Sequence, residues 1–130
     1  ELTARRLTLW DREVRHTDLS IPFPLAPQLA QAAPDAKQSA VYVGYDGPRY
    51  EAPAEVRMLG QLGGDIVGMT AATEAVLLRE AGVDYGCFGI VTNLGAGLSS
   101  HELAHGDVVE VMERLGAYVS EILLSVVVGS

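Results

Sequence analysis

The run VYVGYDGPRYEAPAEVRMLGQLGGDIVGMTAATEAVLLREAGVDYGCFGIVTNLGAG, from Val41 to Gly97, decides the fold. Its head, Ser39 to Tyr45 (SAVYVGY), is rich in residues that suit a strand, and Asp46-Gly47-Pro48 breaks it. From Glu51 to Leu62 the pattern turns helical, with Val56, Leu59 and Leu62 on one face. Pro53 suits the first turn, where its missing N–H costs nothing, and Gly63-Gly64 is a stop. Asp65 to Met69 (DIVGM) reads as a second strand. Thr70 or Thr73 caps a helix that runs to Glu80 and ends at Ala81-Gly82. Tyr85 to Thr92 (YGCFGIVT) reads as a third strand, apolar nearly throughout and so expected to be buried on both faces. A glycine/serine loop follows, Gly95 to Ser100.

Outward from this run, Leu7 to Trp10 reads as a short strand and Asp11 to Ser20 as a polar stretch. The segment IPFPLAP, Ile21 to Pro27, carries three prolines and so excludes a helix interior or a central strand. A short helix from Ala26 to Ala33 ends before Pro34. At the other end Gly106 to Val127 reads as a long amphipathic helix, with Val109, Met112, Leu115, Val119 and Ile122 at helical spacing.

Alternation of strand and helix predicts an α/β fold with parallel neighbours, in a single domain over residues 1–130. In such sheets ligands gather beyond the carboxyl ends of the strands. That places Gly47 to Glu51, Met69-Thr70 and Thr92-Asn93 on one rim, above strand bodies that are apolar.

Composition narrows the function. The chain has 130 residues, 48% of them apolar, and a formal net charge of −8. Such an acidic chain repels phosphate backbones, and no basic stripe offsets it, since Arg5, Arg6, Arg12 and Arg15 alternate with Asp11 and Glu13. Nucleic acid is excluded as a partner, and a membrane has no spanning segment to receive. The single cysteine, Cys87, lies in an apolar run and reads as a buried structural thiol, in keeping with a reducing cytoplasm. His16, His101 and His105 lack ligand spacing, so no metal is expected. No GxGxxG, Walker loop or GxSxG elbow occurs. The chain begins at Glu1 without a methionine, which reads as processing or as part of a longer polypeptide.

Each rim residue has two readings. Glu51 is either a helix-dipole contact or a carboxylate that accepts hydrogen bonds from a ligand's N–H groups. Asn93 is either a turn residue or an amide that offers a donor and an acceptor to a heteroaromatic edge. Thr70 is a cap or a ligand hydroxyl, and Met69, Tyr42 and Tyr50 are core residues or pocket walls. His105 is a capping histidine at the start of the last helix or a ligand contact.

GPRYEAPAEVRML, GGDIVGMT, TEAVLLRE and TNLGAG, in this order and at these intervals, resemble the successive motifs of the trimeric-type purine nucleoside phosphorylases. HTDLSIPFP looks like that family's strand-and-proline region, so the resemblance covers nearly the whole chain. It implies a three-layer fold with a central, largely parallel mixed sheet flanked by helices, of which this is the C-terminal half. It also implies phosphate-dependent cleavage of purine nucleosides in a homotrimer, with inorganic phosphate as co-substrate and no cofactor.

Residue by residue, the resemblance implies that Glu51 accepts from the purine N1–H side and that Asn93 donates to the N7 and O6 region. Tyr50, Met69 and Tyr42 would lie against base and ribose, with Thr92 beside them on the rim. Thr70 would hydrogen-bond phosphate and His105 the 5′-hydroxyl. The related methylthioadenosine phosphorylases carry serine, aspartate and a small apolar residue where Glu51, Asn93 and His105 stand. Inosine and guanosine are therefore the expected substrates, with methylthioinosine phosphorolysis and a non-catalytic purine-binding fragment as alternatives. Ala52 replaces the family's usual threonine, Thr73 a proline and Gly95 an alanine. The family's phosphate-binding glycine loop and Arg-x-His segment lie in its N-terminal half and have no counterpart in these 130 residues. A separate N-terminal chain is one way to supply them.

Overall fold

The computed structural model describes residues 8–10, 15–16, 18, 23–99 and 105–128, with the side chains of 105 and 107 outside that set. In chain order the elements are α1 (Ala26–Ala32), β1 (Tyr42–Gly44), α2 (Pro53–Gln61), β2 (Ile66–Gly68), α3 (Ala71–Ala81) and α4 (His105–Val128).

Local chemistry explains the ends of the helices. Proline opens both α1 and α2, where a missing N–H is harmless. Helix α3 closes on Gly82 in the left-handed conformation (φ 68°), with Gly82 N donating to Arg79 O and Val83 N to Leu78 O. Glycine meets the steric demand of that turn without a Cβ penalty.

Strands β1 and β2 pair in parallel, Tyr42 with Ile66, Val43 with Val67 and Gly44 with Gly68. Parallel neighbours need a long crossover, and α2 provides it. The Asp65 carboxylate ties the two strand starts together: it accepts from Val41 N at 2.8 Å and from Lys37 Nζ at 2.8 Å. Helix α3 packs on β1, and its buried face is built from Ala72 and Ala75, small enough to lie close to the strand. Helix α4 packs on α1 around Leu29, Ala33 and Ile122, the last only 2% exposed.

Several expectations need correction. Tyr85 to Thr92 forms no strand, and four of its eight residues are exposed, Val91 at 63%, while Tyr85 is buried. Strand-forming side chains do not make a strand without a ladder partner, and among the described residues β1 and β2 pair only with each other. Residues 8–10 are irregular as well, and Leu7 lies outside the described residues. The two remaining strands are three residues each, shorter than read. On α2 Leu59 is buried but Leu62 is exposed, and on α4 Ile122 is buried while Val109 and Met112 are exposed. Cys87 is exposed rather than buried, and desolvation together with the Glu74 charge raises its thiol pKa. Among the described residues no helix is long and apolar enough to cross a membrane.

Candidate functional site

An open cleft of about 730 Å³ runs along β1 and β2, from Tyr42 and Asp65 to Met69 and Thr70, within the size range of small-molecule pockets. Tyr42, Tyr50, Glu51, Met69, Thr70, Thr92 and Asn93 all line it. Its walls are mainly apolar, with Val56, Val67, Phe88, Ile90 and Leu98 among them. Thus seven of the eight residues singled out from sequence meet in one place. The side chain of the eighth, His105, lies outside the described residues, although its backbone begins α4. Among the described residues no group of three or more His, Cys, Asp or Glu side chains could hold a metal ion.

Asn93 is held on both sides of its amide. Thr92 Oγ1 donates to Asn93 Oδ1 at 2.7 Å, and Asn93 Nδ2 donates to Leu94 O at 3.1 Å. An amide nitrogen has two N–H groups, so one remains for a ligand. The Thr92 proton is committed to this arrangement, which makes Thr92 a support for Asn93 as well as a cleft residue.

The loop after Asn93 is pressed onto the start of α2. A Cβ on Gly95 would stand 3.0 Å from Val56 Cγ1, and one on Gly97 (φ 79°) 2.7 Å from Pro53 Cβ. Only glycine permits that approach together with that backbone angle at Gly97. The contact brings Asn93 and Glu51 to the same cleft from distant parts of the chain. Elsewhere in the cleft lining the Tyr42 hydroxyl lies against Gly68, where any side chain would collide with it.

Glu51 precedes Ala52, the N-cap of α2, and the first-turn acid of that helix is Glu55. The helix-dipole role therefore falls to Glu55, while Glu51 lies on the cleft wall. Thr70 occupies the N-cap of α3 without a side-chain cap hydrogen bond; instead Thr73 Oγ1 donates to Thr70 O at 2.7 Å. The Thr70 hydroxyl thus stands at the positive end of an 11-residue helix, a favourable place for an anion.

A cluster absent from the sequence reading lies behind Tyr50 and Glu51. Glu55 accepts from Tyr45 Oη at 2.7 Å, from both terminal nitrogens of Arg49 at 2.8 Å and from Ala52 N at 2.7 Å. The Arg49 hydrogen bonds are the largest cause, followed by those of Tyr45 and Ala52, that hold the Glu55 carboxyl well below the usual carboxylate range. The same contact with Glu55 raises the Tyr45 pKa, so its hydroxyl stays protonated at neutral pH. A depressed carboxylate contributes stability that is present above its unfolded pKa of about 4.3 and is lost as pH falls through the lower folded value. The melting temperature of the parent is therefore expected to fall more steeply than that of Glu55→Gln between about pH 4.3 and strong acid. Parallel slopes in a pH series of thermal melts would refute this.

Only half of a capping box is present, because Ala52 offers no oxygen to the Glu55 N–H. Its backbone (φ −71°, ψ 155°) already has the extended geometry of a capping threonine. Ala52→Thr is expected to stabilise the fold by about 1 kcal/mol, read as a shift in urea midpoint at constant slope.

The phosphorylase superfamily model matches residues 8–128 of the chain. A protein of Moorella thermoacetica named "Probable 6-oxopurine nucleoside phosphorylase" is 40% identical over 124 residues, which cover 89% of this chain and 47% of that protein. A Methanopyrus kandleri protein named "Probable S-methyl-5'-thioinosine phosphorylase" is 41% identical over 122 residues, 88% of this chain and 48% of that one. A mutant adenosine/methylthioadenosine phosphorylase from Schistosoma mansoni, solved with adenine, superposes with a TM-score of 0.88 at 26% identity, covering 96% of this chain and 54% of that one. The chain spans about half the length of the relatives it matches.

Proposed function

This chain belongs to the phosphorylase superfamily, and from that premise we propose that it supplies the base- and ribose-binding half of a purine nucleoside phosphorylase acting on 6-oxopurine nucleosides. The observation that carries the reading is the meeting of Glu51 and Asn93 in one apolar cleft with Tyr42, Tyr50, Met69 and Thr70. A 6-oxopurine offers an N1–H donor to the Glu51 carboxylate and N7 and O6 acceptors to the free N–H of Asn93. Cleavage of the glycosidic bond puts positive charge on the ribose and negative charge on the departing base. A donor at N7 stabilises charge that exists only as the bond breaks. Phosphate oxygen then bonds to C1′ and the electron pair of the old bond leaves with the purine, which gives ribose 1-phosphate without a covalent enzyme intermediate.

Thr70 is a single hydroxyl at a helix start, too few donors for a phosphate dianion. The remaining donors, in this reading, come from residues outside these 130, in the same or another polypeptide. The names of the relatives support a 6-oxopurine, and the Methanopyrus protein favours a second reading, a 5′-methylthio nucleoside of the same base. A homotrimer in the cytoplasm belongs to the same proposal. Exposed Leu123, Leu124, Val127 and Val128 at the end of α4 support an assembly partner.

The test is release of hypoxanthine from inosine and from methylthioinosine, with and without phosphate, by the intact protein. Phosphate-dependent release supports the reading, and the faster substrate decides between the two. Release without phosphate would make the protein a hydrolase. Binding of hypoxanthine with no turnover on either substrate would make it a purine-binding module.

A further inference from the structure

We propose that Glu55 is a positioning residue that fixes the presentation of Tyr50 and Glu51 to the cleft, through a clamp made with Arg49 and Tyr45; the effect on base binding rests on the function proposed above. One carboxylate holds the segment from Tyr45 to Ala52 at three points. Tyr45 Oη binds one oxygen at 2.7 Å at the start of the segment. The Arg49 fork spans both oxygens at 2.8 Å in the middle. Ala52 N closes the end at 2.7 Å. Only Tyr50 and Glu51 lie between the second and third anchors, and Arg49 Nη1 also donates to Tyr50 O at 3.0 Å. The segment is tied to the sheet as well, by Tyr45 N donating to Gly68 O at 3.0 Å.

The geometry exceeds what helix capping requires. A capping glutamate needs one oxygen for one backbone N–H, whereas here both oxygens are engaged by a planar guanidinium, a bidentate pairing that fixes orientation as well as distance. The Glu55 side chain is 24% exposed and that of Arg49 63%, so the carboxylate is the shielded member of the pair. Ala52 offers no capping hydroxyl of its own at the turn that enters α2.

The test compares the parent intact protein with Glu55→Gln, Tyr45→Phe and Arg49→Met. Backbone amide exchange is followed across residues 46–52, and hypoxanthine and adenine binding are titrated by calorimetry. Glu55→Gln and Arg49→Met are expected to speed exchange in that segment by about tenfold, the double variant being no worse than either single one. The preference for hypoxanthine over adenine is expected to fall by about tenfold as the segment loosens, because Glu51 is the group displaced. Tyr45→Phe, which removes one hydroxyl and little else, is expected to give a smaller change in the same direction. A general loss of stability would speed exchange throughout α3 too and leave the base preference alone, and that result would overturn the proposal. Unchanged exchange at 46–52 in Glu55→Gln would overturn it as well. If the parent binds no purine base, the proposed function fails while amide exchange still decides the clamp.

Discussion

On the proposed function, replacing Asn93 by alanine is expected to lower kcat for inosine phosphorolysis by about 10²- to 10³-fold with little change in KM. The size follows from where the charge appears. In the bound nucleoside N7 is a weak neutral acceptor, so losing a donor there costs little binding. As the glycosidic bond stretches, the purine takes on negative charge, and a donor already oriented in an apolar cleft stabilises it without reorganisation. Orientation is what Thr92 and Leu94 provide, by fixing the Asn93 oxygen and one of its N–H groups. If Asn93 serves only the turn, the variant will lose melting temperature while kcat stays within a few-fold of the parent. Steady-state kinetics on inosine, with a melt of the same preparation, separates the two outcomes.

The helices were legible in the sequence because their ends are written in local chemistry. Pro53, Gly63-Gly64 and Gly82 punctuate the chain wherever it lies, and α2 and α3 begin and end within two residues of the expected positions. The cleft was legible for a related reason: a polar residue at the end of an apolar run has few places to go, and Thr70 after β2 and Asn93 after the irregular apolar run from Tyr85 go to the same one. What could not be read depends on partners distant in sequence. Tyr85 to Thr92 has the composition of a buried strand, but pairing is a property of two segments, and propensity describes only one. The Glu55 clamp escaped for another reason. Its usual signal is a serine or threonine three residues before the glutamate, and Ala52 stands there, so Arg49 and Tyr45 gave no hint of their common acceptor.

Glu51 carries the sharpest prediction about selectivity. In a 6-oxopurine the N1 position donates a hydrogen, and a carboxylate accepts it in a charge-assisted bond worth about 1.5–3 kcal/mol. In a 6-aminopurine N1 holds a lone pair, which a carboxylate repels. Glu51→Ala is therefore expected to lower kcat/KM for inosine by about 10- to 150-fold and that for adenosine much less, so that the ratio between them collapses. The competing role, an acid that stabilises the start of α2, predicts a different pattern. Glu55 already occupies the first turn of that helix, and Glu51 lies before its N-cap. A helix-stabilising Glu51 would, on removal, lower the melting temperature and leave the inosine-to-adenosine ratio unchanged. Measuring both substrates on one preparation decides the matter, since any loss of folded protein scales the two rates equally while loss of a base contact does not.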